Sequence, residues 1–130
     1  MDKFLLVFAG GGIGSYLRYL ITQWSLDRFG LVFPLGTLFA NIGGCFAAGL
    51  IAGLPMAAGS LSPTTRLLLM TGFLGGLTTF SSYEYESFML LQNGAIIRAL
   101  LNLGGGIIAG LAALTLGFVL SRSLAKWVIS

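Results

Sequence analysis

The sequence of 130 residues contains no histidine, a single cysteine and only four carboxylate residues. It therefore lacks the side chains for a zinc site, for imidazole-based acid–base catalysis, for a disulfide framework and for a multi-carboxylate metal cluster. These absences exclude most enzyme classes, and we expect no enzymatic activity. The seven Lys and Arg residues are scattered without a run, so we also expect no nucleic-acid partner.

Charge of either sign is scarce, because charged residues make up 8% of the chain and hydrophobic residues 56%. The mean hydropathy is +0.94, whereas a soluble domain carries roughly 25% charged residues. Such a chain cannot cover a folded surface with polar side chains, so its outer surface must face a lipid bilayer. The composition predicts an all-α membrane protein, because helices satisfy their own backbone hydrogen bonds in lipid.

The charged residues divide the sequence into long apolar stretches, and a helix needs about 20 apolar residues to cross a bilayer. These stretches predict a single transmembrane domain with four spans, whose approximate limits are 4–24, 35–54, 67–91 and 99–121. A polar loop is predicted over 56–65, which is rich in Gly, Ser and Pro. An N-terminal signal peptide is the rival for the first span, but no cleavage pattern of small residues follows it.

Glycine is abundant, with 20 residues, and each predicted span contains a pair of glycines four residues apart. Small residues at this spacing allow helix backbones to approach closely, which favours association where lipid removes the hydrophobic driving force. We therefore predict tight helix contacts on each span. The pairs are Gly10/Gly14, Gly49/Gly53, Gly72/Gly76 and Gly106/Gly110.

Asparagine side chains occur within two of the spans, where a buried polar group is costly and is a functional candidate by default. On the second span Thr37, Asn41 and Cys45 are spaced at i, i+4 and i+8, so they share one helix face. For Asn41 a functional role and a structural hydrogen bond fit this pattern equally well. For Asn102, on the fourth span, we predict a structural hydrogen bond between helices.

The third span has the densest group of polar residues at its middle. Gly75 and Gly76 precede a hydroxyl-rich run at 78–82, and we predict a break in the helix over 75–79. A helix broken at bilayer depth frees carbonyl and N–H groups, which must face protein, water or an ion. Carbonyls bind cations and hydroxyls donate to anions, so the pattern fits a pathway for either ion. A Ser/Thr-capped kink fits the spacing equally well.

The positive charges give little indication of orientation, although cytoplasmic loops are usually enriched in Lys and Arg. The count is nearly balanced if Arg18 extends outward from the end of the first helix. One side would then carry Lys3, Arg66, Arg122 and Lys126, and the other Arg18, Arg28 and Arg98. We predict insertion in both orientations and an antiparallel dual-topology homodimer. The alternative is a single orientation, set by a weak bias in positive charge that the insertion machinery reads correctly.

Three motifs resemble those of the Fluc-type fluoride channels, also called CrcB proteins, and the resemblance covers the whole chain. The motifs are Gly10-Gly11-x-x-Gly14 followed by Leu17-Arg18, then Pro34-x-Gly36-Thr37-Leu38-x-x-Asn41, and the highly specific GFLGGLTTFS of 72–81 followed by Glu86. The resemblance implies an antiparallel homodimer in the bacterial cytoplasmic (inner) membrane. Two narrow pores in this dimer would let fluoride leave the cell by passive flow.

The resemblance also implies which residues form the fluoride pathway. Asn41 would lie at the wider end of the pore, and Phe80 would be the first aromatic residue along it. Family members usually carry a second Phe where this chain has Tyr83, whose hydroxyl adds a competing donor. Thr37 and Ser81 would supply further hydroxyls. Fluoride is small and strongly hydrated, so such donors would have to replace its water at close range.

Two further features follow from the same resemblance. Arg18 and Glu86 would lie in vestibules, where Arg18 could concentrate anions. Backbone carbonyls of Gly75 and Thr78 in each subunit would hold a structural sodium ion at the dimer centre. The fourth span departs from the family, because many relatives carry Ser or Thr hydroxyls along it. The equivalent positions here are assigned to Gly110 and Leu114, so we predict no pathway residue on that span.

Two other functions remain open at the level of sequence. A small dual-topology proton-coupled exporter would need a carboxylate at mid-membrane, and the only candidates, Glu84 and Glu86, fall toward the end of the third span. A non-conducting partner subunit of a heteromeric channel would explain the missing hydroxyls of the fourth span.

Overall fold

A computed structural model describes the backbone of residues 2–54 and 61–129, with side chains to residue 125. Within these ranges the regular structure is entirely helical, which confirms the predicted all-α class. The elements are α1 (Lys3–Phe29), α2 (Leu35–Gly53), α3 (Pro63–Arg66), a π-helix (Leu67–Leu74), α4 (Gly75–Leu77), α5 (Phe80–Gln92) and α6 (Ile96–Ile129).

Three of these helices are long and apolar enough to cross a membrane by length and composition. They are α1, α2 and the Ile96–Ala125 part of α6, and they contain most of the first, second and fourth predicted spans. Asp2 begins α1 by accepting a hydrogen bond from the backbone N–H of Phe4. Gly30 ends it with φ 73°, a conformation that suits glycine.

The third predicted span is built differently, as a series of short helical pieces. Ser62 caps the first piece by accepting from the N–H of Thr65, and Pro63 occupies the first turn. The predicted loop at 56–65 is therefore wrong at its end, because 63–65 are already helical. Its remainder lies largely outside the described residues. From residue 63 the α3, π-helical and α4 pieces follow one another to Leu77 and are called the 63–77 segment.

Two residues with extended backbone, Thr78 and Thr79, separate the 63–77 segment from α5 and are called the 78–79 linker. Thr78 has ψ 152°, and Thr79 has φ −148° and ψ 121°. The Thr79 hydroxyl accepts from the N–H of Ser82 and so begins α5. Gly75 and Gly76, which we predicted within the break, are helical. A Cβ on Gly76 would collide with the backbone of Gly11, so this glycine serves a helix contact.

Helix α1 packs closely against the 63–77 segment through glycines on both sides. A Cβ on Gly14 would overlap the carbonyl of Phe73, and one on Gly10 would lie 2.8 Å from the carbonyl oxygen of Leu68. On the facing segment, a Cβ on Gly72 would lie 3.2 Å from the Cα of Gly10. The contacts predicted for the first and third spans are thereby confirmed.

Helices α2 and α6 form a second contact of this kind. A Cβ on Gly49 would overlap the carbonyl of Leu114, and one on Gly53 would lie 2.5 Å from the carbonyl oxygen of Phe118. Gly106 faces the ring of Tyr83 and Gly110 faces the sulfur of Cys45. Both remaining glycine pairs therefore lie in helix contacts, as predicted.

The interior is small and the outside is apolar. Ala40, Leu74 and Leu77 form the buried core between α2 and the 63–77 segment. Large apolar side chains are exposed along the outside of the long helices, for example Phe8 and Ile108. This distribution agrees with the prediction that the outer surface faces lipid.

Candidate functional site

A groove of about 400 Å³ lies where α2, the 78–79 linker, the start of α5 and α6 meet. The α2 side contributes Leu38, Asn41 and Cys45. The linker and α5 contribute Thr78, Thr79, Phe80 and Tyr83. The residues from α6 carry no hydroxyl; they are Gly106, Ile107, Gly110, Leu111 and Leu114. The polar groups of the groove are therefore concentrated on α2 and the linker.

Asn41 pairs with the backbone of Thr79 through both ends of its amide. Its Nδ2 donates to the Thr79 carbonyl at 3.0 Å, and its Oδ1 accepts from the Thr79 N–H at 2.8 Å. The side chain thus replaces the hydrogen bonds that the N–H and the carbonyl of Thr79 would have made in a continuous helix. An amide nitrogen has two N–H groups, and this pairing uses one of them. Asn41 makes the structural bond and keeps a second donor at the groove.

Arg18 contacts the end of the 63–77 segment from α1. Its Nε donates to the Gly76 carbonyl at 3.1 Å, and the Ser15 hydroxyl donates to the same oxygen at 3.4 Å. The charge count was nearly balanced only if Arg18 extended outward from a helix end, and this condition is not met, because α1 continues to Phe29 and the Arg18 side chain bonds to the 63–77 segment. On that side of the charge count only Arg28 and Arg98 remain.

Phe80 and Tyr83 both line the groove but differ in exposure. Phe80 is 74% exposed, whereas Tyr83 is 5% exposed, and their ring centroids are 6.2 Å apart. The Tyr83 hydroxyl donates to the carbonyls of Asn102 and Leu103 on α6. The expectation of a competing donor in the pathway is therefore wrong, because α6 takes up that hydroxyl. The ring of Tyr83 still lines the groove.

Thr37, Glu86 and Ser81 lie outside the lining of the groove. The Thr37 hydroxyl is buried and donates to Oε1 of Glu86 at 2.6 Å. The Oε2 atom of Glu86 is buried without a hydrogen-bond partner among the described residues. Ser81 is exposed, and its hydroxyl shares a 3.3 Å hydrogen bond with that of Thr79. Of the predicted pathway residues, the groove brings together Asn41, Phe80 and Tyr83.

The carbonyls of Gly75 and Thr78 were assigned to sodium by resemblance. Ser15 and Arg18 donate to the Gly76 carbonyl, and Asn41 donates to the Thr79 carbonyl. These side chains therefore do not occupy the carbonyls of Gly75 and Thr78. Gly75 is exposed, and a Cβ there would meet only the Met70 carbonyl, at 3.9 Å. Carbonyl oxygens are suitable ligands for hard cations.

Asn102 confirms the prediction of a structural hydrogen bond between helices. It is 1% exposed, and its Nδ2 donates to the Ser87 hydroxyl at 2.9 Å. Sequence reasoning missed Thr79, although it directly precedes Phe80 and was part of the hydroxyl-rich run. Cys45 was placed on the Asn41 face but was not assigned to the site, and it lines the groove.

Comparison with known proteins gives a consistent result over nearly the full chain. The family described as "CrcB-like protein, Camphor Resistance (CrcB)" matches residues 5–118. A protein of Aquifex aeolicus is 43% identical over 124 residues, which are 95% of this chain and 100% of that protein. A protein of Chlorobium phaeobacteroides is 46% identical over 118 residues, 91% of each chain. One of Chloroflexus aurantiacus is 42% identical over 122 residues, 94% of this chain and 97% of that protein. Each of the three is named "Fluoride-specific ion channel FluC".

Proposed function

The chain belongs to the CrcB-like family of multi-pass membrane proteins, and from this premise we propose that it is a fluoride-selective channel. Cytoplasmic fluoride leaves the cell through it by passive flow across the bacterial cytoplasmic membrane. The observation that carries the proposal for this chain is the groove, where Asn41 and the exposed Phe80 ring meet at an interruption of helical backbone.

The chemistry of the groove favours a small anion. Asn41 keeps a donor N–H, and Phe80 offers a ring edge with partial positive charge. The hydroxyls of the 78–79 linker already donate within the protein, that of Thr78 to the Leu74 carbonyl and that of Thr79 to the Ser82 hydroxyl. Among the residues that the structure describes, no Lys or Arg lines the groove, so the anion would meet replacements for its water without a cation to trap it.

Thr37, Ser81, Glu86 and Arg18 lie outside the groove lining, and in this proposal they flank the pathway without supplying its central donors. The Thr37 hydroxyl donates to Glu86, and the Arg18 Nε donates to the Gly76 carbonyl.

The functional unit in this proposal is an antiparallel homodimer with two pores. The 63–77 segment and α5 together form the third span, with the 78–79 linker as its break. Positive charge outside the spans is scarce, with four residues on one side and two on the other once Arg18 is left out, and so weak a bias is compatible with insertion in both orientations. The exposure of Gly75 on the outside of a single chain is compatible with a second copy at that position.

A structural sodium ion at the dimer centre completes the proposal. The carbonyls of Gly75 and Thr78 from two chains would hold it, and the ion would offset the cost of unpaired carbonyls at bilayer depth. The side chains contribute little to such a site. Thr78→Ser should therefore preserve sodium binding, whereas Gly75→Val should disrupt it by crowding the centre, as measured by the sodium dependence of thermal unfolding.

Purified protein in liposomes loaded with potassium fluoride tests the function. Fluoride efflux, followed with a fluoride electrode, should exceed chloride efflux and should not depend on an imposed proton gradient. Efflux driven by the proton gradient would identify an exporter. No efflux from correctly folded protein would identify a partner subunit that requires a second chain.

Single cysteines on opposite ends of the helices test the orientation. Ser62→Cys and Asn93→Cys, each in a Cys45→Ser background, occupy exposed positions at the two ends of the third proposed span. In a dual-topology protein a membrane-impermeant thiol reagent added outside intact cells labels both positions, each in a part of the copies. Labelling of only one of the two positions would contradict the antiparallel homodimer.

A further inference from the structure

We infer that Arg18 is a positioning residue, which holds the 78–79 linker through its Nε atom and does not act as a free cation that attracts anions. The inference rests on the proposed function, because the linker affects transport only if the groove beside it conducts. Its basis is the 3.1 Å hydrogen bond from Arg18 Nε to the Gly76 carbonyl.

The last carbonyls of a helix have no partner within that helix. Helix α4 ends at Leu77, so the carbonyl of Gly76 is among those that need an external donor. Arg18 and Ser15 lie three residues apart on α1, which places them on one helix face, and both donate to this oxygen. A cationic donor is also favourable at the C-terminal end of a helix.

The other side of the linker is held from a different helix. Asn41 of α2 takes both the N–H and the carbonyl of Thr79. Helix α1 therefore holds the chain at the Gly76 carbonyl, and α2 holds it at Thr79. The first attachment lies just before the extended stretch between the 63–77 segment and α5, and the second lies at its end. Because Phe80 follows directly, its position at the groove depends on both attachments.

Arg18 can be dissected because its hydrogen bond comes from Nε and not from the tip of the guanidinium group. Glutamine carries its Nε2 donor the same number of bonds from Cα, without a charge. Methionine places a methyl group there and has neither donor nor charge. Lysine places a methylene there and keeps a charge one atom farther out. These three residues separate the donor from the charge.

The test measures fluoride efflux from liposomes for Arg18→Gln, Arg18→Met and Arg18→Lys. Arg18→Gln should retain efflux within about twofold of the parent chain, whereas Arg18→Met should lower it by about tenfold or more, as expected for a lost hydrogen bond from a charged donor. Arg18→Lys should resemble Arg18→Met. The same substitutions at Arg28, which is exposed in the last turn of α1, serve as matched controls and should change efflux by less than about twofold.

A second readout reports on the linker itself and does not require transport. The Thr79 amide donates to Asn41, so its hydrogen exchange reports how firmly the linker is held. Exchange should be at least about tenfold faster in Arg18→Met than in Arg18→Gln. If the parent chain passes no fluoride, the proposed function fails. The comparison of hydrogen exchange between Arg18→Met and Arg18→Gln would still test whether Arg18 holds the linker.

Two results would overturn the inference. One is efflux that follows charge, with Arg18→Lys active and Arg18→Gln inactive. The other is a folded Arg18→Gln protein with slow fluoride efflux and fast hydrogen exchange of the Thr79 amide. This result would contradict the inference even if Arg18→Met does not fold.

Discussion

Backbone hydrogen-bonding groups need partners both at the contact of α2 with α6 and at the 78–79 linker, and the two regions supply these partners in opposite ways. In the contact, Gly49 and Gly53 let an intact helix approach the backbone of its neighbour, and the hydrogen bonds stay within each helix. At the linker the helix is interrupted, so Asn41 and Arg18 from two other helices supply the missing partners. The first region needs the absence of side chains, and the second needs specific polar ones.

We therefore expect the contact between α2 and α6 to serve folding and the 78–79 linker to serve transport. A closely packed contact between intact helices leaves no room for an ion and no polar group to bind one. The linker brings donors to the edge of a groove of about 400 Å³. Bulk added to the contact should therefore prevent folding, whereas changes at the linker should reduce transport in a folded protein.

Gly49→Val is expected to have the largest effect. Even a Cβ at Gly49 would overlap the carbonyl of Leu114, and overpacking of a tight interior costs about 1–3 kcal/mol or more. We expect little folded protein, measured as the monodisperse fraction after detergent extraction. Ala52→Val adds bulk to an exposed position of the same helix and should leave this fraction unchanged. A normal yield of folded Gly49→Val would show that the contact is not tight.

Asn41→Asp should abolish transport while the protein stays folded. The carboxylate repels an anion and cannot donate to the Thr79 carbonyl. Fluoride efflux should fall by more than about tenfold, a change of at least about 1.4 kcal/mol in the barrier. Asn93→Asp makes the same chemical change in an exposed turn and should have no effect. Undiminished efflux from folded Asn41→Asp would show that transport needs neither the amide donor at the groove nor its hydrogen bond to the Thr79 carbonyl.

Phe80→Ile should slow efflux less, because apolar volume is retained and only the ring edge is lost. We expect a reduction of several-fold, in line with the weak attraction that a ring edge offers an anion. Phe88→Ile changes an exposed aromatic residue farther along α5 and provides the control. Equal efflux from Phe80→Ile and the parent chain would exclude a role for the ring edge.

Tyr83→Phe should have the smallest effect. It removes the hydroxyl that bonds to the α6 backbone and keeps the ring at the groove. A lost neutral hydrogen bond lowers the free energy of unfolding by about 1 kcal/mol, which thermal unfolding can detect, and efflux should stay near the parent rate. A large loss of efflux would show that the hydroxyl itself serves the pathway.

The sequence predicted the regular part of the fold well because its signals are local. Apolar run length located the helices that can span a membrane, and glycine spacing located their contacts. Thr79 and Arg18 are different, because their hydrogen bonds join residues 38 and 58 positions apart. No local pattern encodes such partners, so Arg18 was expected to point outward.

The candidate site was predicted in part for the same reason. Asn41 and Phe80 stand out as a polar group and an aromatic ring in motifs that resemble the fluoride channels, and both line the groove. The helix was expected to break over 75–79, but Gly75 and Gly76 are helical and the extended backbone is confined to Thr78 and Thr79. Close packing against the backbone of Gly11 accounts for the glycine at position 76, and local sequence does not reveal this contact.

The single cysteine offers the most direct test of whether the groove is the pathway. Cys45 lines the groove next to Asn41 and Gly110. Methyl methanethiosulfonate transfers its methylthio group to the Cys45 sulfur with release of methanesulfinate, and the added group would narrow the passage. Fluoride efflux is measured in liposomes before and after complete modification, verified by mass spectrometry, with Cys45→Ser as the control. The account predicts that modification stops efflux in the parent chain and leaves Cys45→Ser unaffected. Undiminished efflux from fully modified protein would show that fluoride does not pass through this groove.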